Sequence, residues 1–145
     1  MDRPATYEDV NLLLRLYELR REEKLRVARE WFVKNFHFAT IDEFLKGCPP
    51  GSERNTYARM VISYWEMVCS FVMSGVLHAE LLFQSNQELL LVWERVRELT
   101  PAMRTAQKNP TVWKNLEAVG NQFIAYMNHT APGSYEAFAE RIRTL

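Results

Sequence analysis

The chain has 145 residues, enough for one domain with a single substantial hydrophobic core. Apolar residues make up 48% of it and charged residues 25%, which is typical of a globular protein and not of a disordered one. Eighteen Lys and Arg balance eighteen Asp and Glu, which argues against a dedicated nucleic-acid binder because phosphates require a basic excess. We therefore expect one helical domain over residues 1–145 and no nucleic-acid partner.

The residues that usually break helices or form crosslinks are few. Five glycines and six prolines favour long helices over a turn-rich β fold. Only two cysteines occur, Cys48 and Cys69, too few for a fold stabilised by several disulfides. This favours a reducing compartment. The N-terminal residues show no apolar signal region and lead directly into a predicted helix cap. These features predict a cytoplasmic protein.

The first predicted helix is long. Thr6 is expected to cap it, and no Gly or Pro follows until after Phe36. At 1.5 Å per residue such a helix measures about 45 Å, which exceeds the diameter of about 38 Å expected for a compact domain of this length. Its predicted core stripe consists of positions spaced by three and four: Val10, Leu14, Tyr17, Arg21, Leu25, Ala28, Phe32 and Phe36.

Three leucines of this helix, Leu12, Leu16 and Leu19, lie off that stripe. One subunit's core can cover only one face of the helix, so we expect a homodimer in which these leucines form the dimer face. The alternative is that the C-terminal helix folds back over them and leaves a monomer.

The remaining pattern predicts shorter helices in succession. Thr40 begins a capping box, CPPGS makes a tight connection, and Thr100-Pro101 either kinks a helix or caps a new one. Asn109-Pro110 is predicted to start a helix directly, and Ser134 to cap the last one. The predicted fold is all-α, a compact bundle of five to seven helices with a long N-terminal helix, over the approximate ranges 6–36, 41–47, 53–74, 79–84, 87–99, 109–128 and 134–145.

The stretch from Tyr64 to Phe83 admits three interpretations: a membrane span, a metal or catalytic site, or part of a helical core. A span needs about 20 consecutive apolar residues. Here the uncharged part, residues 67–77, is little more than half that length. We therefore expect no membrane span and a core helix.

Sequence motifs for chemistry are absent from the chain. It contains no Glu-x-x-His or His-Glu-x-x-His pair, no phosphate-binding loop and no nucleophile elbow. His37, His78 and His129 are scattered, and His78 and His129 fall where helices are predicted to end. We predict no catalytic residue, no cofactor and no metal, and we favour a non-enzymatic protein.

A short pattern resembles a known family. Tyr64-Trp65-Glu66 is followed by Gly75, Trp93-Glu94 and Arg104, and the preceding segment LYELRREEKLRVAREWF is similar to that family's first helix. The family is an uncharacterised bacterial group of all-helical proteins, classed as a domain of unknown function. The resemblance implies a helical fold over most of the chain and supplies no activity.

Two functions remain in competition. A helical protein-interaction or regulatory module is favoured, because amphipathic helices rich in Trp, Tyr, Met and Arg suit interfaces. An unidentified protein partner is compatible with this prediction. The alternative is a small-ligand-binding bundle whose cavity is lined by Trp65, Trp93 and Trp113, although aromatic residues at helical spacing more commonly form a core.

One ion pair is expected inside the bundle. Glu66 lies among Trp65, Met67 and other apolar residues, where an unpaired carboxylate is costly to bury. Arg104 could supply a bidentate partner if its helix packs on the helix of Glu66. We predict a structural role for this pair rather than a catalytic one. The alternative places Glu66 in solvent.

Overall fold

The architecture is all-α. A computed structural model of the chain describes residues 3–145, so the first two residues of the predicted domain, 1–2, lie outside the described residues. The nine helices of the described range are α1 (Tyr7–Arg20), α2 (Glu23–Asn35), α3 (Ile41–Gly47), α4 (Glu53–Met73), α5 (Ala79–Phe83), α6 (Gln87–Val96), α7 (Thr100–Gln107), α8 (Lys114–Thr130) and α9 (Ser134–Thr144). The all-α prediction is confirmed. The predicted number of five to seven helices is wrong, because the expected first helix is divided and Thr100 begins a helix of its own.

The predicted long N-terminal helix is also wrong. α1 ends at Arg20 and α2 begins at Glu23. Between them Glu22 leaves the helical conformation, with φ −58° and ψ 140°, and its carboxylate accepts a hydrogen bond of 3.1 Å from the backbone N–H of Leu25. A side chain that satisfies a free N–H can start a new helix without Gly or Pro. With the break, the overhang argument for a dimer no longer holds.

α4 is the central helix of the bundle. Its most extensive packing is against α2 and against α8, and α8 also contacts α6 and α9. Ala58, Trp65, Val68 and Cys69 of α4 are each at most 1% exposed. One side of the α4 part of the Tyr64–Phe83 stretch therefore lies in the core, whereas Met67 and Met73 are exposed. No helix within residues 3–145 is long and apolar enough to span a bilayer.

Two short connections differ from the sequence prediction. Asn109 does not cap a helix: its side-chain oxygen accepts hydrogen bonds from the backbone N–H and the hydroxyl of Thr111, at 2.9 and 2.7 Å, which makes a local turn. α8 then begins only at Lys114. His78 does not end a helix but precedes α5, where its Nδ1 accepts a hydrogen bond of 3.1 Å from the N–H of Leu81.

A close contact fixes the packing of α6 on α8. Gly120 of α8 faces Trp93 of α6, and a methyl group at that position would lie 2.5 Å from the indole. Only a residue without a side chain permits this approach. Trp93 is 3% exposed and Trp65 is 1% exposed, so both of these tryptophans are core residues and do not line an open cavity.

Candidate functional site

Glu66, one member of the predicted ion pair, lies at the start of α8. Its carboxylate accepts a hydrogen bond of 2.6 Å from the side-chain amide of Asn115 and one of 2.9 Å from the backbone N–H of Leu116. These residues form the first turn of α8, whose free N–H groups and positive dipole end favour a carboxylate. Glu66 therefore caps a helix that begins about fifty residues later in the chain.

Arg104, the other member, binds the same segment from α7, the helix that directly precedes it in the chain. Its Nε donates to the carbonyl of Val112 at 2.9 Å and its Nη2 donates to Glu117 at 3.1 Å. Within the described residues no ion pair of 4.0 Å or less joins Arg104 to Glu66. The structure thus gives the two groups separate partners on one segment, residues 112–117.

Trp113 lies inside that segment in an unusual conformation. Its backbone has φ 55° and ψ 29°, the left-handed region, which costs a residue with a side chain roughly 1–2 kcal/mol. The hydrogen bonds made by Glu66 and Arg104 on either side of Trp113 hold the chain there. Such strain persists where the surrounding structure over-determines it, and it concentrates at functional positions.

The predicted dimer face of α1 is mostly internal. Leu16 is 5% exposed, and its carbonyl accepts a hydrogen bond of 2.6 Å from the Tyr64 hydroxyl of α4. Leu12 is partly buried against the core, whereas Leu19 is 42% exposed. Two of the three leucines predicted to form the dimer face, Leu12 and Leu16, thus pack on the protein's own core, and only Leu19 is exposed.

The predicted core stripe of α1 is the face that remains uncovered. Tyr7 is 87% exposed, Val10 41%, Leu14 56% and Tyr17 50%. We call these four residues the α1 outer stripe. They occupy one side of a surface helix, and a contiguous exposed apolar patch of this kind marks an interaction site more often than isolated apolar residues do.

A buried carboxylate fixes α1 in position. Asp9 is fully buried and accepts five hydrogen bonds: two from Arg3, both 2.7 Å, two from Thr6, at 2.8 and 2.9 Å, and one of 2.9 Å from the N–H of His78. The Arg3 guanidinium, aided by Thr6 and His78, holds the pKa of Asp9 well below its usual range. The start of α1 is thereby attached to the connection before α5. The sequence showed Asp9 only as a first-turn acid.

Two more polar groups with partners inside the bundle, one buried and one half-buried, were not identified from the sequence. Arg95 is 7% exposed and donates to carbonyls at the C-terminal end of α2 and to the carbonyl of Ile142, where two helix ends offer negative charge. Glu88 joins Arg29, at 2.8 Å, to the indole N–H of Trp65, at 3.1 Å. Both are charged residues in amphipathic segments, where a sequence pattern predicts solvent exposure.

The metal-ligating and nucleophilic residue types of residues 3–145 have structural surroundings. No set of three or more His, Cys, Asp or Glu residues in the described part of the chain is arranged to hold a metal ion. Burial raises the pKa of the Cys69 thiol well above its ordinary value, which keeps it protonated and weakly nucleophilic. The structure gives these groups roles in packing and capping.

Comparison with known proteins gives a family without an activity. The model of a domain of unknown function, DUF4760, matches residues 5–123. The chain belongs to this family. The DUF4760 match includes the α1 outer stripe and Glu66, Arg104 and Trp113, and it ends inside α8. No curated protein and no solved structure matches the chain.

Proposed function

We propose that the protein is a non-enzymatic helical interaction module that pairs with a second copy of itself through the α1 outer stripe. The observation that carries the proposal is the exposure of Tyr7, Val10, Leu14 and Tyr17 together on one side of a surface helix. This differs from the dimer face expected from sequence, because Leu16 is required inside the bundle.

The spacing of the stripe suits an antiparallel copy. Its residues are separated by three, four and three positions, so the order of spacings is the same in both directions. If the two-fold axis crosses α1 at the level of position 12, Tyr7 lies opposite Tyr17 of the second copy and Val10 lies opposite Leu14 of the second copy. A two-fold interface requires this reciprocity, in which residue i meets residue j and j meets i.

Charges on the flank of α1 favour the same arrangement. Glu8 and Arg15 are seven residues apart, so they lie two turns apart on one flank, and both are exposed. In the antiparallel pair Glu8 faces Arg15 of the second copy at almost the same level, twice by symmetry. The two helix dipoles also run in opposite directions, which places unlike ends together.

The proposed interface is small. α1 has 14 residues and is therefore about 21 Å long, which provides less area than the roughly 800 Å² per partner of a standard stable interface. We expect a reversible dimer with a dissociation constant on the order of 10 µM. A dimer of this strength forms and separates with changes in local concentration.

The proposal places one domain, residues 1–145, in the cytoplasm. Cys48 and Cys69 are both buried and free rather than paired in a disulfide, which fits a reducing compartment.

Sedimentation analysis from about 0.5 to 500 µM tests self-association from well below to well above the expected dissociation constant. The mass should rise from near 17.1 kDa toward twice that value. Leu14→Glu should remain monomeric at every concentration, because it places a charge at the centre of the pair. Val76→Glu is the matched control: Val76 is 57% exposed, against 56% for Leu14, but lies outside α1, and it should dimerise normally.

A charge exchange tests the antiparallel orientation. Glu8→Arg should weaken the dimer severalfold by placing like charges together, and Glu8→Arg combined with Arg15→Glu should restore it. A wild-type protein that stays monomeric throughout the range would refute self-association. Equal dimerisation of wild type and Leu14→Glu would show that another surface is used.

A further inference from the structure

A cleft of about 360 Å³ lies between α4, α7 and the residue that precedes α8. We call it the α4–α7 cleft. We refer to its buried apolar lining as the floor, and to Trp113, which also lines it, as the wall. The floor residues are all buried, namely Phe44, Ala58, Ile62 and Met103. Apolar walls with a few polar groups at the opening are typical of small-molecule sites, and this volume falls within their usual range.

Hydrogen-bond donors line the same cleft without protein acceptors. Arg59 and Gln107 are exposed at its opening and Trp113 is half-buried. Within the described residues, none of these three side chains has a hydrogen-bond or ion-pair partner in the protein, which leaves them available to a ligand. The guanidinium and the indole N–H can only donate, the Gln107 amide can both donate and accept, and Arg59 carries a permanent positive charge. A ligand that satisfied them would present acceptor oxygens, and the charge of Arg59 favours an anion.

The one carboxylate of the cleft does not cancel this preference. Both oxygens of Glu66 already accept hydrogen bonds from the first turn of α8, whose positive dipole end, about half an elementary charge, offsets part of its negative charge. The free positive charge of Arg59 is therefore the group available to a ligand. A cationic ligand would instead be repelled by the positive charge of Arg59 at the opening of the cleft.

The strain at Trp113 supports a binding role. A left-handed backbone is unfavourable for tryptophan, yet Glu66 and Arg104 hold the residues on either side of it. Trp113 lines the cleft, and an indole can pack against an aromatic ring of a ligand. A strained residue that is held by its neighbours and lines a cavity is typical of a pre-organised ligand contact.

We infer that the α4–α7 cleft binds a small aryl-alkyl carboxylate, with its ring against Trp113 and its carboxylate at Arg59. Liquid water occupies about 30 Å³ per molecule, so the cleft has space for roughly a dozen heavy atoms. That is the size of one aromatic ring with a short acidic side chain. The inference does not rest on self-association, because none of the cleft residues lies in α1.

Titration with 3-phenylpropanoate, followed by the backbone and indole N–H signals of the full-length protein in nuclear magnetic resonance, tests the site. The expected dissociation constant is about 0.1 to 1 mM, as is usual for a ligand of this size. Among the four tryptophans, the indole signal of Trp113 should shift most, because Trp65 and Trp93 are buried. The uncharged isostere 3-phenylpropanamide should bind about tenfold more weakly.

Two variants separate the charge contact from the fold. Arg59→Gln should lower the affinity for the carboxylate about tenfold and abolish the preference over the amide. Arg54→Gln is the matched control, since Arg54 is exposed on the same helix but does not line the cleft, and its affinity should equal that of wild type. Trp113→Gly removes the wall and relieves the strained backbone, so it should lose binding while remaining folded.

Specific results would overturn the inference. If the Trp113 signal does not shift at about 5 mM 3-phenylpropanoate, a concentration far above the expected dissociation constant, the proposed site is refuted. Equal binding of the acid and the amide, or an unchanged affinity in Arg59→Gln, would refute an anion site. Tighter binding of a tripeptide ending in phenylalanine would refute a free small molecule, because it would identify a chain terminus as the ligand.

Discussion

The starts of α1 and α8 achieve the same result by different means. At α1, Thr6 and Asp9 form a capping box within four residues of the chain, and Arg3 adds two hydrogen bonds to Asp9. At α8 no local side chain caps the helix, Trp113 adopts a left-handed backbone, and Glu66 of α4 supplies the missing acceptor. Both helix starts are held by a carboxylate, but only the first carboxylate is close in sequence.

The two kinds of helix cap differ in the backbone strain that accompanies them. A local cap costs no strain and leaves the neighbouring residues free of special conformations. The distant cap at α8 accompanies a strained tryptophan that forms the wall of the α4–α7 cleft. Three substitutions test this contrast, in order of decreasing effect.

Removing the charge of Asp9 should cause the largest loss. Asp9→Asn replaces one carboxylate oxygen with an NH2 group in a fully buried position. Each oxygen of Asp9 accepts from at least two donors of Arg3, Thr6 or His78, so at least two of these donors would face the NH2 group, which cannot accept. We expect a loss of about 3 kcal/mol in the free energy of unfolding, measured by urea denaturation. Asp42→Asn, an exposed first-turn acid of α3, should change stability by less than about 0.5 kcal/mol.

The pH dependence should identify Asp9 as the source of that loss. Its pKa in the folded protein lies below the ordinary value of 3.8, so its stabilising contribution is complete above that value and declines as the pH falls below about 4. Wild type should therefore lose more stability than Asp9→Asn between about pH 5 and pH 2. Parallel acid limbs for the two proteins would contradict the assignment.

Removing the charge of Glu66 should have an intermediate effect. Glu66→Gln keeps one acceptor oxygen for either Asn115 or Leu116 and loses the favourable charge at the start of α8. A loss of about 1–2 kcal/mol in the free energy of unfolding is expected from urea denaturation. Glu80→Gln serves as control because Glu80 is an exposed first-turn acid of α5, and a loss as large there would show that the position of Glu66 is not special.

The smallest effect is expected at Trp113, where Gly should be more stable than Ala, the reverse of their order inside a helix. Trp113→Gly and Trp113→Ala remove the same aromatic packing, so their difference reports the left-handed backbone alone. Gly should be more stable than Ala by about 1 kcal/mol at this position. At Ala118, inside α8, Ala118→Gly should instead cost about 1 kcal/mol. Equal stability of the two Trp113 variants in urea would show that the backbone strain is absent.

Helix ends governed by neighbouring residues were predictable from the sequence. Thr6 and Thr40 cap α1 and α3 through side-chain oxygens that accept from N–H groups three residues later. Gly47 closes α3, and Ser74 and Gly75 end α4 as their pattern indicates. The prediction of a helix start at Asn109 was wrong for a related reason. An Asn side chain can accept hydrogen bonds in a turn as readily as at a helix start, and only the following residues decide between the two.

The face of α1 that enters the core was not predictable. Apolar residues occur on both sides of the helix, so periodicity alone offered two candidate stripes. Asp9 and Leu16 turn inward because Arg3, His78 and Tyr64 bind that side, and the three residues lie at distances of 6 to 69 positions along the chain. Once one side is fixed, the α1 outer stripe is exposed.

The sequence by itself determined the helical class, the principal helix segments and the caps at Thr6 and Thr40, because these depend on interactions within a few residues. The predicted cap at Ser134 is wrong, because Gly133 precedes α9 and no side chain caps that helix. The tertiary structure decided the break at Glu22, the orientation of α1, the separate partners of Glu66 and Arg104, and the conformation of Trp113. These features depend on side chains that are distant in the chain but adjacent in space. A buried charge takes whichever partner the packing brings within reach, because desolvation penalises an unpaired charge regardless of sequence separation.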